Sequence, residues 1–143
     1  MSTGDVFVST RTYNSSYNTI TKYNSDGVFQ WDHSYSSTNT SDSLITNQIA
    51  VDSGTGSVTV VGSFGGTGKA TFDASPTPAP TKGKPKPTSD TYGFALKLNA
   101  NGAQESLQKT VGVSPSDIAI DKDGSTYITG SMISTVDFDP GIG

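Results

Sequence analysis

The sequence predicts an all-β protein built from tandem four-stranded antiparallel units of the β-propeller blade type. Three observations predict it: a composition poor in helix formers, a block order that recurs at a constant period, and turn dipeptides placed between short β-prone runs. Of 143 residues, 41 are Ser or Thr, whereas Glu occurs once (Glu105) and Leu four times (Leu44, Leu96, Leu98, Leu107). Residues that favour helices are therefore scarce, and the balance tips to strands and turns.

The recurring blocks set the organisation. Ile49-Ala50-Val51-Asp52, followed by Gly56-Ser57-Val58-Thr59-Val60-Val61-Gly62-Ser63, returns as Ile118-Ala119-Ile120-Asp121 and Gly124-Ser125-Thr126-Tyr127-Ile128-Thr129-Gly130-Ser131. Gly4-Asp5-Val6-Phe7-Val8 is a partial earlier copy of the second piece. A further block, Thr21-Lys22-Tyr23-Asn24-Ser25-Asp26-Gly27, matches Leu96-Lys97-Leu98-Asn99-Ala100-Asn101-Gly102, and Phe72-Asp73 answers to Phe138-Asp139. Gly4 and Gly56 lie 52 residues apart and Gly56 and Gly124 lie 68 apart; the excess of 16 is the length of the Pro/Thr/Lys-rich insert 75–90. A period near 52 with several short strands per copy is the signature of propeller repeats. The chain is expected to be one β-repeat domain, 1–143, with units of about 4–55, 56–123 and 124–143.

Strand candidates follow from β-branched and aromatic runs bounded by turn residues. They are Val6–Ser9, Asn18–Tyr23, Val28–Ser34, Thr46–Asp52, Ser57–Phe64, Tyr92–Leu98, Gln104–Thr110, Ser116–Asp121 and Thr126–Ser131. Asp26-Gly27, Asn101-Gly102 and Asp123-Gly124 accept the positive φ of tight hairpin turns, so neighbouring strands should pair antiparallel. Nine strands make about two blades and one strand over, and propellers close with roughly four to eight blades. The expectation is an incomplete ring with an unfinished blade at each end and two open sheet edges, each a template for pairing with another chain.

The Gly-Ser-Thr-Tyr-Ile-Thr-Gly-Ser strand, the Phe-Ala-Leu-Lys-Leu-Asn-Ala-Asn-Gly hairpin and the Val-Asp-Phe-Asp-Pro-Gly tail together resemble the SBBP-type bacterial β-propeller repeat family. The resemblance covers nearly all of the chain outside the insert. Trp31 falls four residues after Gly27, where that family often carries Trp, while Ser106 stands at the matching place after Gly102. The resemblance implies a propeller blade, secreted or at the cell surface of a bacterium, with no shared catalytic residues. The low copy number and the Pro-rich insert depart from the family pattern.

Charge and composition narrow the partners. The net charge is −4, and the single basic cluster, Lys82, Lys84 and Lys86, sits among Pro and Gly as a solvated loop would. Nucleic acid is therefore not an expected partner, because phosphate binding needs clustered Lys and Arg. No apolar run approaches the ~18 residues of a spanning helix, so membrane insertion is not expected. Met1 to Thr10 lacks the charged and apolar regions of a signal peptide, and the absence of Cys leaves the redox compartment open.

Candidate chemistry is thin, and no enzyme is expected. His33, the only histidine, has Asp32 or Asp52 as formal triad partners, but no Gly-x-Ser-x-Gly elbow accompanies it. With one His and no Cys, a zinc site lacks ligands. The turns Asn24-Ser25-Asp26-Gly27, Asn99-Ala100-Asn101-Gly102 and Asp121-Lys122-Asp123-Gly124 offer alternating oxygens of the kind calcium takes, yet hairpin chemistry explains each. Calcium is the sole cofactor they suggest; otherwise none is expected. Asp137 and Asp139 would share one face of a strand, as a glycosidase pair needs, but the first copy keeps only Asp73, so repetition is the simpler reason. Tyr13, Tyr17, Tyr23, Trp31 and Tyr35 are dense enough to form a platform for surface glycans, and are equally ordinary residues of half-buried strands.

The insert, from Ser75-Pro76-Thr77-Pro78 to Pro87-Thr88-Ser89, favours extended polyproline conformations that cannot build a core. Thr77, Thr81 and Thr88 are candidate O-glycosylation positions, and Asn14 and Asn39 head formal N-glycosylation sequons. The function these features favour is a non-enzymatic extracellular or cell-surface structural protein, its blades completed by copies of itself in a filament, surface layer or oligomeric propeller. The alternative is a carbohydrate- or protein-binding module of a larger secreted propeller protein.

Overall fold

The Gly-Asp-Val run at the start of the sequence becomes the edge of a sheet in the computed structural model, which describes residues 4–12, 17–37, 43–66, 70–72 and 90–133. Strands β1 (Val6–Arg11), β2 (Tyr17–Tyr23) and β3 (Phe29–Ser37) form an antiparallel meander. Strands β4 (Leu44–Val51) and β5 (Val58–Gly66) follow, then the short β6 (Ala70–Phe72), then β7 (Asp90–Leu98) and β8 (Gln104–Val111). A last hairpin joins β9 (Val113–Ile120) to β10 (Thr126–Met132). The hydrogen-bonded orders are β1-β2-β3-β6, β4-β5-β7-β8 and β9-β10, with every pairing antiparallel. The architecture is all-β, of tandem four-stranded sheets, and no closed ring forms among the described residues.

Ten strands are present among the described residues where the sequence patterning suggests nine, and the tenth changes the topology. β6 leaves the run between β5 and β7 and adds to the outer edge of the preceding sheet, pairing Phe72 with Tyr35 and Ala70 with Ser37. The first sheet thus reaches four strands by taking one from the next copy of the repeat, instead of ending unfinished on both sides. Three residues carry too little periodicity to register as a strand. The insert also ends earlier than the repeat arithmetic suggests: Asp90 already pairs with Gly66, and 75–89 lie outside the described residues.

Turn chemistry holds the hairpins as expected. Asn24 Oδ1 accepts from the amides of Asp26 (3.0 Å) and Val28 (2.9 Å), and Asn99 and Asp121 repeat the pattern on Asn101 and Ala103 and on Asp123 and Ser125. Each of these Asx turns closes on a glycine in the left-handed region, Gly27, Gly102 and Gly124.

Both copies carry the same β-bulge. Register shifts between Thr46 and Gln48 opposite Val61 and Gly62, and again between Pro115 and Asp117 opposite Thr129 and Gly130, so Asn47 and Ser116 are the extra residues. The bulge brings β4 so close to Gly62 that a Cβ there would meet the Phe94 ring at 2.7 Å as well as the Ile45 carbonyl. Gly130 meets the Ser114 carbonyl and Pro115 Cα in the same way, which explains why Gly recurs in Val-Gly-Ser and Thr-Gly-Ser. Pro115 sits at the bulge, one of the few places a sheet tolerates proline.

The core lies between the first two sheets. Ile20, Tyr35 and Phe72 of the first face Val58, Val60, Phe64, Phe94 and Leu96 of the second, each at most 7% exposed. Burying each such side chain contributes about 1.5–3 kcal/mol. Phe72 stacks on Tyr35 with ring centroids 5.5 Å apart and meets Phe94 at 5.0 Å, so β6 delivers an aromatic wedge to this interface. A polar relay crosses it: the Tyr35 hydroxyl hydrogen-bonds Thr46 Oγ1, which donates to Asn18 Oδ1, while Asn18 Nδ2 donates to the Leu44 carbonyl. Every member has a partner, the condition under which a buried polar group stabilises.

Candidate docking edge

The most distinctive feature beyond the core is an unfinished sheet. β10 pairs with β9 on one side, and among the described residues nothing pairs with its other edge. Its repeat counterpart β5 is flanked by β4 and β7. The matching residues therefore differ sharply in exposure: Val60 0% and Phe64 1%, but Ile128 43% and Met132 62%. Beside the bare edge runs an apolar groove of about 510 Å³, between the β7–β8 side of the second sheet and the β9–β10 hairpin. Phe94, Thr110, Pro115, Ile128 and Met132 are among the residues lining it. A more polar, open cleft of about 620 Å³ lies where the two bulges meet, walled by Asn47 and Ser116 among others.

A second edge without a partner among the described residues belongs to β1, where a counterpart of β4 would pair. Val6 and Val8 stand at the repeat positions of Val58 and Val60, and are 52% and 38% exposed. Alternation along the strand directs Val6 and Val8 away from the second sheet, whereas Phe7 turns towards it and meets Trp31 edge-on at 5.9 Å. Lys22 and Asp5 close an ion pair of 2.9 Å on that inner side.

The residues singled out for chemistry serve the fold. His33 is buried and its Nδ1 lies 3.1 Å from the Gly102 carbonyl, to which it donates, while Trp31 Nε1 donates to the Ala100 carbonyl at 2.8 Å. Both side chains lock the first sheet onto the 99–102 turn. Asp52 faces its own turn, accepting from Gly54 N at 2.8 Å and Thr55 Oγ1 at 2.6 Å, so its carboxylate is committed away from His33. The Thr55 hydroxyl, helped by the Gly54 amide, holds the Asp52 carboxyl below the usual carboxylate range; the Ser125 amide chiefly does so for Asp121.

In the turns suggestive of calcium, the oxygens of Asn24, Asn99 and Asp121 are engaged by backbone amides. No cluster of three or more His, Cys, Asp or Glu occurs among the described residues. The aromatic set splits between faces: Trp31 and Tyr35 point into the sheet interface, while Tyr17 and Tyr23 alternate to the far side, where Tyr23 meets the exposed Phe29 at 6.3 Å. Tyr13 lies outside the described residues, as do Asp137, Asp139 and the candidate glycosylation positions Thr77, Thr81, Thr88, Asn14 and Asn39. No helix among the described residues is long and apolar enough to cross a membrane.

Reasoning from sequence missed β6 and the bulge that places Asn47 against the next hairpin, where its Nδ2 donates to the Pro115 carbonyl. The repeat of Phe72-Asp73 at Phe138-Asp139 was the available signal for β6, since a motif kept twice at the same place has a job in both copies. No family model, no curated protein and no solved structure matches this chain.

Proposed function

We propose that the chain is a non-enzymatic structural subunit, extracellular or at the cell surface, that assembles by strand addition between copies at its open sheet edges. The observation that carries this reading is the exposure of Ile128 and Met132 beside an apolar groove, at positions whose counterparts one repeat earlier are sealed in the core. Strand addition satisfies the bare backbone groups and buries the apolar ones together. The open β1 of a neighbouring copy is the matching donor. Set antiparallel against β10, it would continue the β9–β10 sheet across the joint and pair the bare backbone groups of both edges.

Such a joint is head-to-tail, so it makes a ring if the rotation closes and a filament if it does not. The Ser/Thr-rich surface, the acidic balance and the resemblance to a repeat family of secreted bacterial proteins support the extracellular placement.

Light scattering across a wide concentration range tests the assembly. Oligomers or filaments that dissociate in an Ile128→Lys variant are expected, since an edge lysine blocks pairing. A wild-type chain that stays monomeric at every concentration refutes the reading. A second reading, a carbohydrate- or protein-binding module within a larger array of this repeat, is favoured by one observation: β1 and β10 occupy the same place in the repeat, so additional copies would continue the stack in phase. The intact mass of the native protein separates the two, and also reports whether the insert carries glycans.

A further inference from the structure

The groove has a second open wall, the outer edge of β8. In the registers of the two sheets Tyr35 lies opposite Asn18 and Thr110 opposite Gly93, which makes β8 the counterpart of β3 and Thr110 the counterpart of Tyr35. The outer edge of β3 is covered by β6, and Phe72 of β6 rests on Tyr35, Phe64 and Phe94. The outer edge of β8 has no partner among the described residues, and the counterparts of Tyr35 and Phe64, namely Thr110 and Met132, line the groove.

We propose that the C-terminal segment Val136–Phe138 of the same chain docks on the outer edge of β8 as β6 docks on β3, with Phe138 filling the groove between the second sheet and the β9–β10 hairpin. The sequence supplies the occupant, because Phe138-Asp139 follows β10 as Phe72-Asp73 follows β5.

The chain's exit supplies the path. The Ile133 amide donates to the Gly112 carbonyl at 2.8 Å, as the Gly65 amide donates to the Ser43 carbonyl at 2.9 Å, so both copies leave the strand pinned beside the next link. Phe138 follows Ile133 by two residues fewer than Phe72 follows Gly65. The edge to be reached is correspondingly nearer, since Gly112 alone separates β8 from β9, whereas residues 38–43 separate β3 from β4.

The backbone of β8 is arranged to receive it. The Gly112 amide is spent on the Thr91 carbonyl at 2.8 Å, so alternation turns the Val111 amide to the open edge, opposite the place of Asp137 in the repeat register. Docking in this manner does not depend on whether copies assemble.

Amide hydrogen exchange on the full-length chain tests it, read at Val111 and at its counterpart Ser36. Docking predicts that Val111 is slowed at every protein concentration, and that Asp137→Pro, which deletes the N–H that would donate to the Val111 carbonyl and so weakens docking by one hydrogen bond, speeds its exchange roughly five- to tenfold while leaving Ser36 unchanged. Exchange of Val111 at the rate of an exposed loop amide overturns the proposal, as does slowing that Asp137→Pro leaves undiminished. Slowing that appears only as concentration rises assigns the edge to a neighbouring copy and equally overturns docking within one chain. The oligomeric state is read separately by scattering, so failure of assembly and failure of tail docking give different results.

Discussion

The second sheet and the β9–β10 hairpin start from nearly the same residues and end in different physical states. β4 and β9 share the Ile-Ala-Val/Ile-Asp block and the bulge; β5 and β10 share the Gly-Ser strand and its closely approached glycine. Yet Val58, Val60 and Phe64 are sealed, while Thr126, Ile128 and Met132 are exposed. The difference teaches that burial in this fold is not a property of a strand's own pattern. It belongs to the strand beside it and the sheet in front of it, because β7 and the Tyr35–Phe72 stack are what cover β5.

The largest way to break the comparison is truncation of the equivalent pair. Phe64→Ala should cost about 3–5 kcal/mol, the usual penalty for emptying a packed aromatic site. Met132→Ala should cost less, roughly 1–2 kcal/mol in the monomer, since among the described residues no strand flanks β10 as β7 flanks β5. Urea denaturation of dilute protein reads both, and equal losses would mean that Met132 is covered in solution.

A smaller effect tests the interface that the hairpin lacks. Burial pushes the Tyr35 hydroxyl up to about 12 from an ordinary value of 10.0, against the lowering hydrogen bonds of Thr46 and Ser9. The native state thus holds the phenolic proton more tightly than the unfolded chain does. Its contribution is complete below pH 10 and is lost as pH rises through about 12, roughly 2–3 kcal/mol in all. Stability measured from pH 9 to 12 should fall in the wild type and fall less steeply in Tyr35→Phe.

The smallest effect compares the turns. The Asp121 carboxyl is lowered chiefly by the Ser125 amide, so its stabilising contribution exists above the ordinary 3.8 and fades as pH drops through the lower folded value. Asp121→Asn should flatten that acid limb slightly while preserving the turn, because Asn99 makes the same amide bonds in the second sheet. An unchanged acid limb would show that the Asp121 turn opens freely.

Much of the fold was legible in the residues themselves. Asp26-Gly27, Asn101-Gly102 and Asp123-Gly124 announced their hairpins because the side-chain-to-backbone bonds and positive φ are satisfied within a few residues. Regular alternation and the 52-residue period likewise revealed the antiparallel meanders, though not the short tenth strand, β6. His33, Trp31 and Asp52 could be named as candidates, but their partners lie up to 69 positions away or back in their own turn, and pattern says nothing about which.

By itself, then, the sequence determined the all-β class, the repeat and the turns, since each depends on interactions between near neighbours along the chain. Only the tertiary structure decided that β6 leaves its own copy for the edge of the one before, and that Ile128 and Met132 stand open while Val60 and Phe64 do not. Those outcomes depend on which strand lies alongside and which sheet lies across, and that adjacency arises when the sheets pack.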